Sequence, residues 1–132
     1  MASFPFELVS PERIIFSGEV EEVVIPAAEG EMTLLSDHAP MMTSLKTGFL
    51  VVGGAKGQER ILVQGGFLDV APGGATVLAE RAMPVSELNS EILSREIARA
   101  EELHEKAEDP VLKAAAADTV SQLNDARAQL GM

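Results

Sequence analysis

Short apolar segments recur at even spacing through the first two thirds of this chain. From Phe4 to Glu80, runs rich in Val, Ile, Leu and Phe alternate with turns that contain Gly, Pro or Ser. Such spacing is typical of an antiparallel sandwich or barrel, because a parallel sheet would need helices between its strands. We therefore predict a β-sandwich or flattened barrel of about nine or ten antiparallel strands. The predicted strands are residues 4–9, 13–16, 20–25, 31–34, 42–45, 49–52, 60–63, 67–71 and 76–80.

The periodicity changes after Pro84, where apolar residues return at steps of three and four, as they do in an α-helix. Ser86 or Asn89 can cap a first helix, and Asp109 followed by Pro110 is a typical start for a second. The short break between the helices predicts an antiparallel α-helical hairpin. The predicted inward positions are Leu93, Ile97, Ala100, His104 and Ala107 in the first helix, and Leu112, Ala116, Val120, Leu123, Arg127 and Leu130 in the second.

We expect two domains, a β-sandwich over residues 1–84 and the helical hairpin over residues 85–132. The apolar stripes of the hairpin are narrow and rich in alanine, which buries little area. Isolated helices of this length are marginal in water, so we expect the hairpin to depend on the sandwich or on a partner for stability.

Two polar loops lie close together in the sequence and predict the surface that the sandwich presents. Glu29-Gly30-Glu31 forms the first loop, and residues 36–40 form the second, with room for only one short strand between them. Connections lie on the surface and commonly carry function, because a buried loop would leave backbone polar groups unsatisfied.

Composition excludes several classes of function. The net charge of −11 and the absence of Trp and Tyr oppose binding to nucleic acid, which attracts basic faces and aromatic stacking platforms. Cysteine is absent, and the two histidines, His38 and His104, are far apart, so we predict no metal site and no thiol chemistry. No set of nucleophile, base and acid can be assembled, so we predict no catalytic residues and no cofactor. No apolar run reaches the ~20 residues of a membrane span, and no targeting segment is recognised.

Several short motifs occur together in one order and spacing over residues 4–84. They are Ser10-Pro11-Glu12, Phe16-Ser17-Gly18 with Glu21, Glu29-Gly30-Glu31, His38-Ala39-Pro40, Leu45 with Gly48, Gly65-Gly66-Phe67-Leu68-Asp69-Val70, and Thr76-Val77-Leu78-Ala79-Glu80. In these motifs the chain resembles the epsilon subunit of the bacterial and chloroplast rotary ATP synthase, which is called delta in mitochondria. Each motif is weak by itself, but seven in register are specific.

The resemblance implies a non-catalytic central-stalk subunit that couples the gamma subunit to the ring of c subunits during proton-driven ATP synthesis. It implies that the hairpin contacts the alpha and beta subunits and weakly regulates ATP hydrolysis. It also implies a peripheral position on the cytoplasmic face of the bacterial inner membrane, without insertion into the membrane. Carried over by motif, the ring-facing residues are Glu31, His38, Ala39 and Pro40, and the gamma-facing residues are Met41, Met42 and Leu45.

The chain departs from the family pattern in two places. Thr33 and Asp37 stand where the family often has glycine, which changes the loops that would face the ring. In the hairpin, Asn89 and Ile92 stand where ATP-binding members have aspartate and arginine. The alternative function, a nucleotide-sensing module that binds ATP on the hairpin, is therefore expected to be weak or absent, because few cations face the phosphates.

Overall fold

The computed structural model describes residues 2–55 and 57–132, which form eight strands and two α-helices. Their contacts divide the chain into two compact units, one ending at Ser86 and the other beginning at Glu87. The strands are β1 (Phe4–Val9), β2 (Ile14–Val20), β3 (Glu22–Ala27), β4 (Gly30–Leu34), β5 (Met41–Leu45), β6 (Gly48–Gly54), β7 (Gly57–Ala71) and β8 (Gly74–Pro84). A 3₁₀ turn (Val85–Glu87) precedes α1 (Ser90–Lys106) and α2 (Pro110–Leu130). The predicted fold class, a β-sandwich followed by a helical hairpin, is confirmed.

The first unit is a flattened barrel because β7 changes its partner along its length. Its first half pairs with β6, its second half pairs with β5, and β8 pairs with it from Ile61 to Ala71. Strand β3 in turn pairs with both β6 and β5, which closes a ring of β3, β5, β6 and β7. Strands β1 and β2 extend the layer beyond β8, and β4 lies outside β3.

The described residues form eight strands, whereas the sequence predicts nine or ten, because two predicted strands are one. Residues 60–63 and 67–71 both belong to β7, and Gly65 and Gly66 between them bend the strand without ending it. Both glycines have positive φ, 71° and 127°, which glycine adopts without a steric cost. The dipeptide that resembles a turn in the sequence is thus the point where β7 passes from β6 to β5.

Two further details of the predicted sheet are wrong. Ser17 and Gly18 were expected to separate two strands, but they lie inside β2, paired with Glu7 and Phe6. Strands β1 and β8 pair in parallel, whereas an entirely antiparallel sheet was predicted. A parallel pair needs a long connection, and here the connection is the rest of the sandwich.

Alternating side chains fill the core between the layers. Phe6 and Leu8 of β1, Ile25 of β3, Leu50 of β6 and Ile61 of β7 are buried in one apolar cluster. Each such side chain contributes roughly 1.5–3 kcal/mol when fully buried. This packing gives the unit a rigid body on which loops and outer faces keep fixed positions.

The second unit is the predicted hairpin, with the predicted caps. The Asn89 side chain accepts a hydrogen bond from the Ile92 amide at 2.9 Å, and the Asp109 side chain accepts one from the Val111 amide at 2.8 Å. Most predicted inward positions are buried or half-buried, with Leu93 and Leu123 fully buried. Leu112 is the exception and is 63% exposed, so its predicted packing is wrong. The covered stripe of α2 begins one turn later, at Ala116.

Candidate functional site

Glu31 lies beside the tight turn that joins β3 and β4. Its backbone pairs with Pro26, and the side chains of β4 alternate, with Glu31 and Thr33 exposed and Leu34 buried. Gly30 supplies the positive φ of 140° that this turn requires, and no other residue type among those described has a positive φ. Thr33 therefore occupies ordinary extended backbone and adds no strain.

His38 lies in the connection between β4 and β5. Its amide donates a hydrogen bond to the Leu35 carbonyl at 3.0 Å, which forms a turn. Its Nε2 atom lies 3.0 Å from the sulfur of Met41, so the half-buried ring is held against the start of β5. Ala39 and Pro40 follow on the surface, both exposed. The loop is thus held by local contacts and presents His38, Ala39 and Pro40 together.

The structure does not bring Glu31 and His38 into one cluster. Glu31 is next to the turn at the first end of β4, whereas His38 follows Leu34 at the other end. The strand alone separates Glu31 from Leu34 by about 10 Å, at ~3.3 Å per residue. The two loops that were predicted to face the ring therefore lie at opposite ends of one strand.

Of the three residues predicted to face gamma, Met42 alone points away from the core. Leu45 is buried in the core cluster, and Met41 packs against it from the same face of β5. Met42, on the opposite face, is 72% exposed. Met41 and Leu45 therefore anchor β5 to the core, and the side chain of Met42 points away from the core.

Met42 belongs to a row of apolar residues that the sequence reasoning missed, of which four are exposed and Val9 is half-buried. Phe67 of β7 pairs with Leu78 of β8, Leu78 pairs with Val9 of β1, and Val9 pairs with Ile14 of β2. Met42 lies diagonally across from Phe67, within reach of its ring. We call these five residues (Val9, Ile14, Met42, Phe67 and Leu78) the outer apolar stripe.

The outer apolar stripe crosses five strands, a distance of about 19 Å at ~4.8 Å per strand. Ile14, Phe67 and Leu78 are 62%, 57% and 57% exposed. Large contiguous apolar patches on a protein surface commonly mark an interaction site. The sequence signal that could have predicted the stripe is a pair of adjacent apolar residues within a strand, such as Phe67-Leu68 and Val77-Leu78. Because two neighbours in a strand face opposite sides of the sheet, one residue of each pair has to point away from the core.

The crevice beside His38 has a volume of about 180 Å³, and no carboxylate, lysine or arginine lines it. Within residues 2–55 and 57–132, no three metal-ligating side chains lie close enough to share an ion. None of the described helices is long and apolar enough to cross a membrane.

Asn89 is the N-cap of α1, and Ile92 lies in the first turn of that helix. The Asn89 side chain is occupied by the Ile92 amide, and the Ile92 side chain is half-buried. Further along α1, Lys106 donates a hydrogen bond to Glu102 at 2.6 Å. That bond and the lysine charge lower the pKa of Glu102, and the bond and the negative charge of Glu102 raise the pKa of Lys106.

Comparison with known proteins places this geometry in a family. A family model described as the β-sandwich domain of the ATP synthase delta/epsilon chain matches residues 3–85. An ATP synthase epsilon chain from Jannaschia sp. (strain CCS1) is 50% identical over 116 residues, covering 88% of each chain. Another, from Mesorhizobium japonicum, is 48% identical over 122 residues, covering 92% of this chain and 90% of its own.

Two solved structures share the fold. A chain in the mitochondrial ATP synthase of Euglena gracilis superimposes with a TM-score of 0.74 at 22% identity, covering 98% of this chain and 82% of that one. A chain in the central stalk and c ring of the Tetrahymena thermophila enzyme gives a TM-score of 0.64 at 15% identity, covering 95% of this chain and 96% of that one. The family model and the relatives at about half identity show that this chain belongs to the ATP synthase delta/epsilon-chain family.

Proposed function

We propose that this chain is a non-catalytic rotor subunit of a proton-driven ATP synthase, and that it couples the gamma subunit to the c-subunit ring. The observation that carries the proposal is the outer apolar stripe on a rigid, closed sandwich. Torque has to pass through a body that does not deform, and closely packed interiors have low compressibility. The complex would hold the subunit at the cytoplasmic face of the bacterial inner membrane.

The gamma subunit is proposed to cover the outer apolar stripe. Phe67 and Leu78 form its centre, and aromatic residues at the centre of an interface commonly contribute most of the binding energy. Met42, which the sequence resemblance assigned to gamma, borders this centre and is included in the contact. Met41 and Leu45, which point into the sandwich, act by holding β5 in place.

The ring of c subunits is proposed to contact the sandwich at Glu31 and at the loop of His38, Ala39 and Pro40. These residues are exposed or half-buried, so their side chains are available to a partner. Because Glu31 and His38 lie at opposite ends of β4, they would engage the ring at two points rather than one. Two spaced contacts resist rotation of the subunit on the ring better than a single contact does.

The experiment for the gamma contact is a pull-down and affinity measurement with the gamma subunit of the same organism. We expect Phe67→Ser with Leu78→Ser to weaken binding at least tenfold, which corresponds to ~1.4 kcal/mol, without unfolding the sandwich. The matched control is Val111→Ser with Leu112→Ser, two apolar residues on the hairpin that are more exposed than Phe67 and Leu78. Equal binding by both double variants would refute the assignment of the stripe to gamma.

The experiment for the ring contact is charge reversal, Glu31→Lys or His38→Glu, followed by proton-coupled ATP synthesis in membrane vesicles. Each variant is expected to lower synthesis while the sandwich stays folded, and Glu12→Lys serves as the control. If removal of the subunit leaves proton-coupled synthesis intact, the proposed coupling role is wrong.

The two units are proposed to be separable domains, with the rotor contacts in the sandwich. A truncated chain of residues 1–86 is expected to bind gamma as the full chain does. Loss of gamma binding on truncation would instead assign the contact to the hairpin.

The alternative, ATP binding on the hairpin, gains no support from the geometry, because the Asn89 side chain already caps α1. Calorimetry of the full chain with ATP is expected to detect no binding below millimolar concentration. Submicromolar binding would restore this alternative.

A further inference from the structure

The turn of the helical hairpin exposes large apolar side chains that the hairpin itself does not use. Leu103 is 49% exposed, and Val111 and Leu112 are 76% and 63% exposed. The Lys113 ammonium donates a hydrogen bond to the His104 carbonyl at 3.1 Å, so the first turn of α2 lies beside the last turn of α1. Leu103 and Leu112 are each next in sequence to one of these two residues. We call residues 101–113 the hairpin tip.

The hairpin tip is strongly acidic. It holds five acidic and two basic residues, which gives a formal charge of −3. Both bases are used within the hairpin, since Lys106 pairs with Glu102 at 2.6 Å and Lys113 bonds to a backbone carbonyl. Glu101, Glu105 and Glu108 are exposed to solvent. An approaching partner thus meets apolar side chains in a negative field.

This combination selects the kind of partner. A second copy of the tip, an acidic protein surface or an anionic lipid headgroup would bring like charges together, which costs free energy and slows association. A helix with an apolar stripe and lysine or arginine on its flanks would bury Val111 and Leu112 and meet the glutamates. Such helix-to-surface docking uses apolar residues at helical spacing for affinity and charge for orientation.

We propose that the hairpin tip is a docking site for a basic amphipathic helix of a partner protein. The inference rests on exposure and charge at residues 101–113, and it does not depend on the proposed rotor contacts of the sandwich. The hairpin of this chain would then recognise a cationic partner through its acidic turn.

The test uses the full chain and synthetic 18-residue peptides as probes. A Leu/Lys peptide with helical spacing is titrated into ¹⁵N-labelled protein and followed by chemical-shift changes. A Leu/Glu peptide of the same spacing and a Lys/Ser peptide without apolar residues are the comparisons. We expect the Leu/Lys peptide to shift residues 101–116, the Leu/Glu peptide to leave them unchanged, and the Lys/Ser peptide to bind at least tenfold more weakly.

Two pairs of variants separate the tip from the rest of the surface. Val111→Ser with Leu112→Ser should weaken Leu/Lys binding at least tenfold, whereas Ile14→Ser with Leu78→Ser should leave it unchanged. Glu105→Gln with Glu108→Gln should weaken binding and reduce its salt dependence, and Glu19→Gln with Glu21→Gln is the matched control. These side chains are exposed, except that of Glu21, which is half-buried, so circular dichroism should show an unchanged fold. Equal binding of the Leu/Glu peptide, shifts centred on the outer apolar stripe, or no effect of the tip variants would overturn the proposal.

Discussion

Replacement of Gly66 by alanine tests whether the bend in β7 builds the sandwich. Gly66 has a φ of 127°, a conformation that residues with a side chain rarely adopt. A Cβ atom at this position would lie 2.2 Å from the Leu78 carbonyl oxygen and 2.8 Å from the Ala79 Cα atom. Both are backbone atoms of β8, so relief of the contact requires the strands to separate.

The expected destabilisation has two parts. A strained backbone conformation costs roughly 1–3 kcal/mol, and forced separation of packed strands costs about another 1–3 kcal/mol. We therefore expect Gly66→Ala to lower the free energy of unfolding by about 2–6 kcal/mol. For a domain of this size, a loss of ~3 kcal/mol lowers the Tm by at least about 12 °C.

The assay is urea and thermal unfolding of the full chain, followed by circular dichroism in the β-sheet region. Gly54→Ala is the control, because Gly54 lacks a positive φ and its Cβ would meet no atom within 4 Å. Gly66→Ala should also weaken gamma binding, since Phe67 follows the bend directly. A Gly66→Ala protein within ~1 kcal/mol of the parent, a difference typical of ordinary substitutions, would refute this account of the bend.

Three further outcomes follow from the hairpin. Leu123→Ala should destabilise the hairpin by about 2–5 kcal/mol, because Leu123 is fully buried, whereas the exposed Leu112→Ala should change stability by less than ~0.5 kcal/mol. Amide exchange of α1 and α2 measures both effects, and equal effects would contradict the packing described. Asn89→Ala should lower the free energy of unfolding by about 0.5–2 kcal/mol because the cap of α1 is lost, and Asn89→Asp should retain most of that stability. Thermal unfolding measures both variants, and an equal loss would show that the cap does not stabilise α1. In an NMR titration, Lys106→Met should raise the pKa of Glu102 toward its ordinary value, and an unchanged pKa would exclude the contact with Lys106 as the cause. Because the pKa of Glu102 is lowered in the folded state, its contribution to stability is present above its unfolded pKa and is lost as the pH falls through its folded pKa. Because the pKa of Lys106 is raised in the folded state, its contribution is present below its unfolded pKa and is lost as the pH rises through its folded pKa.

Local signals in the sequence were sufficient wherever a residue acts on its own neighbours. Asn89 and Asp109-Pro110 marked the helix starts, because a cap bonds to amides two or three residues away. The apolar spacing identified the class of each half, since a strand and a helix repeat with different periods. The exposed loop of His38, Ala39 and Pro40 also followed from its polar composition.

What the sequence could not decide depends on residues that are distant along the chain. Gly65-Gly66 has the composition of a turn, and only pairing with β8 on both sides shows that it bends one continuous strand. The separation of Glu31 from His38 depends on the direction of β4 within the sheet, which loop composition does not encode. Val9, Ile14, Phe67 and Leu78 form a row only because four strands align in one register. The period of the sequence thus determined which elements form, and tertiary pairing determined which side chains meet, because register is set by contacts between strands rather than within them.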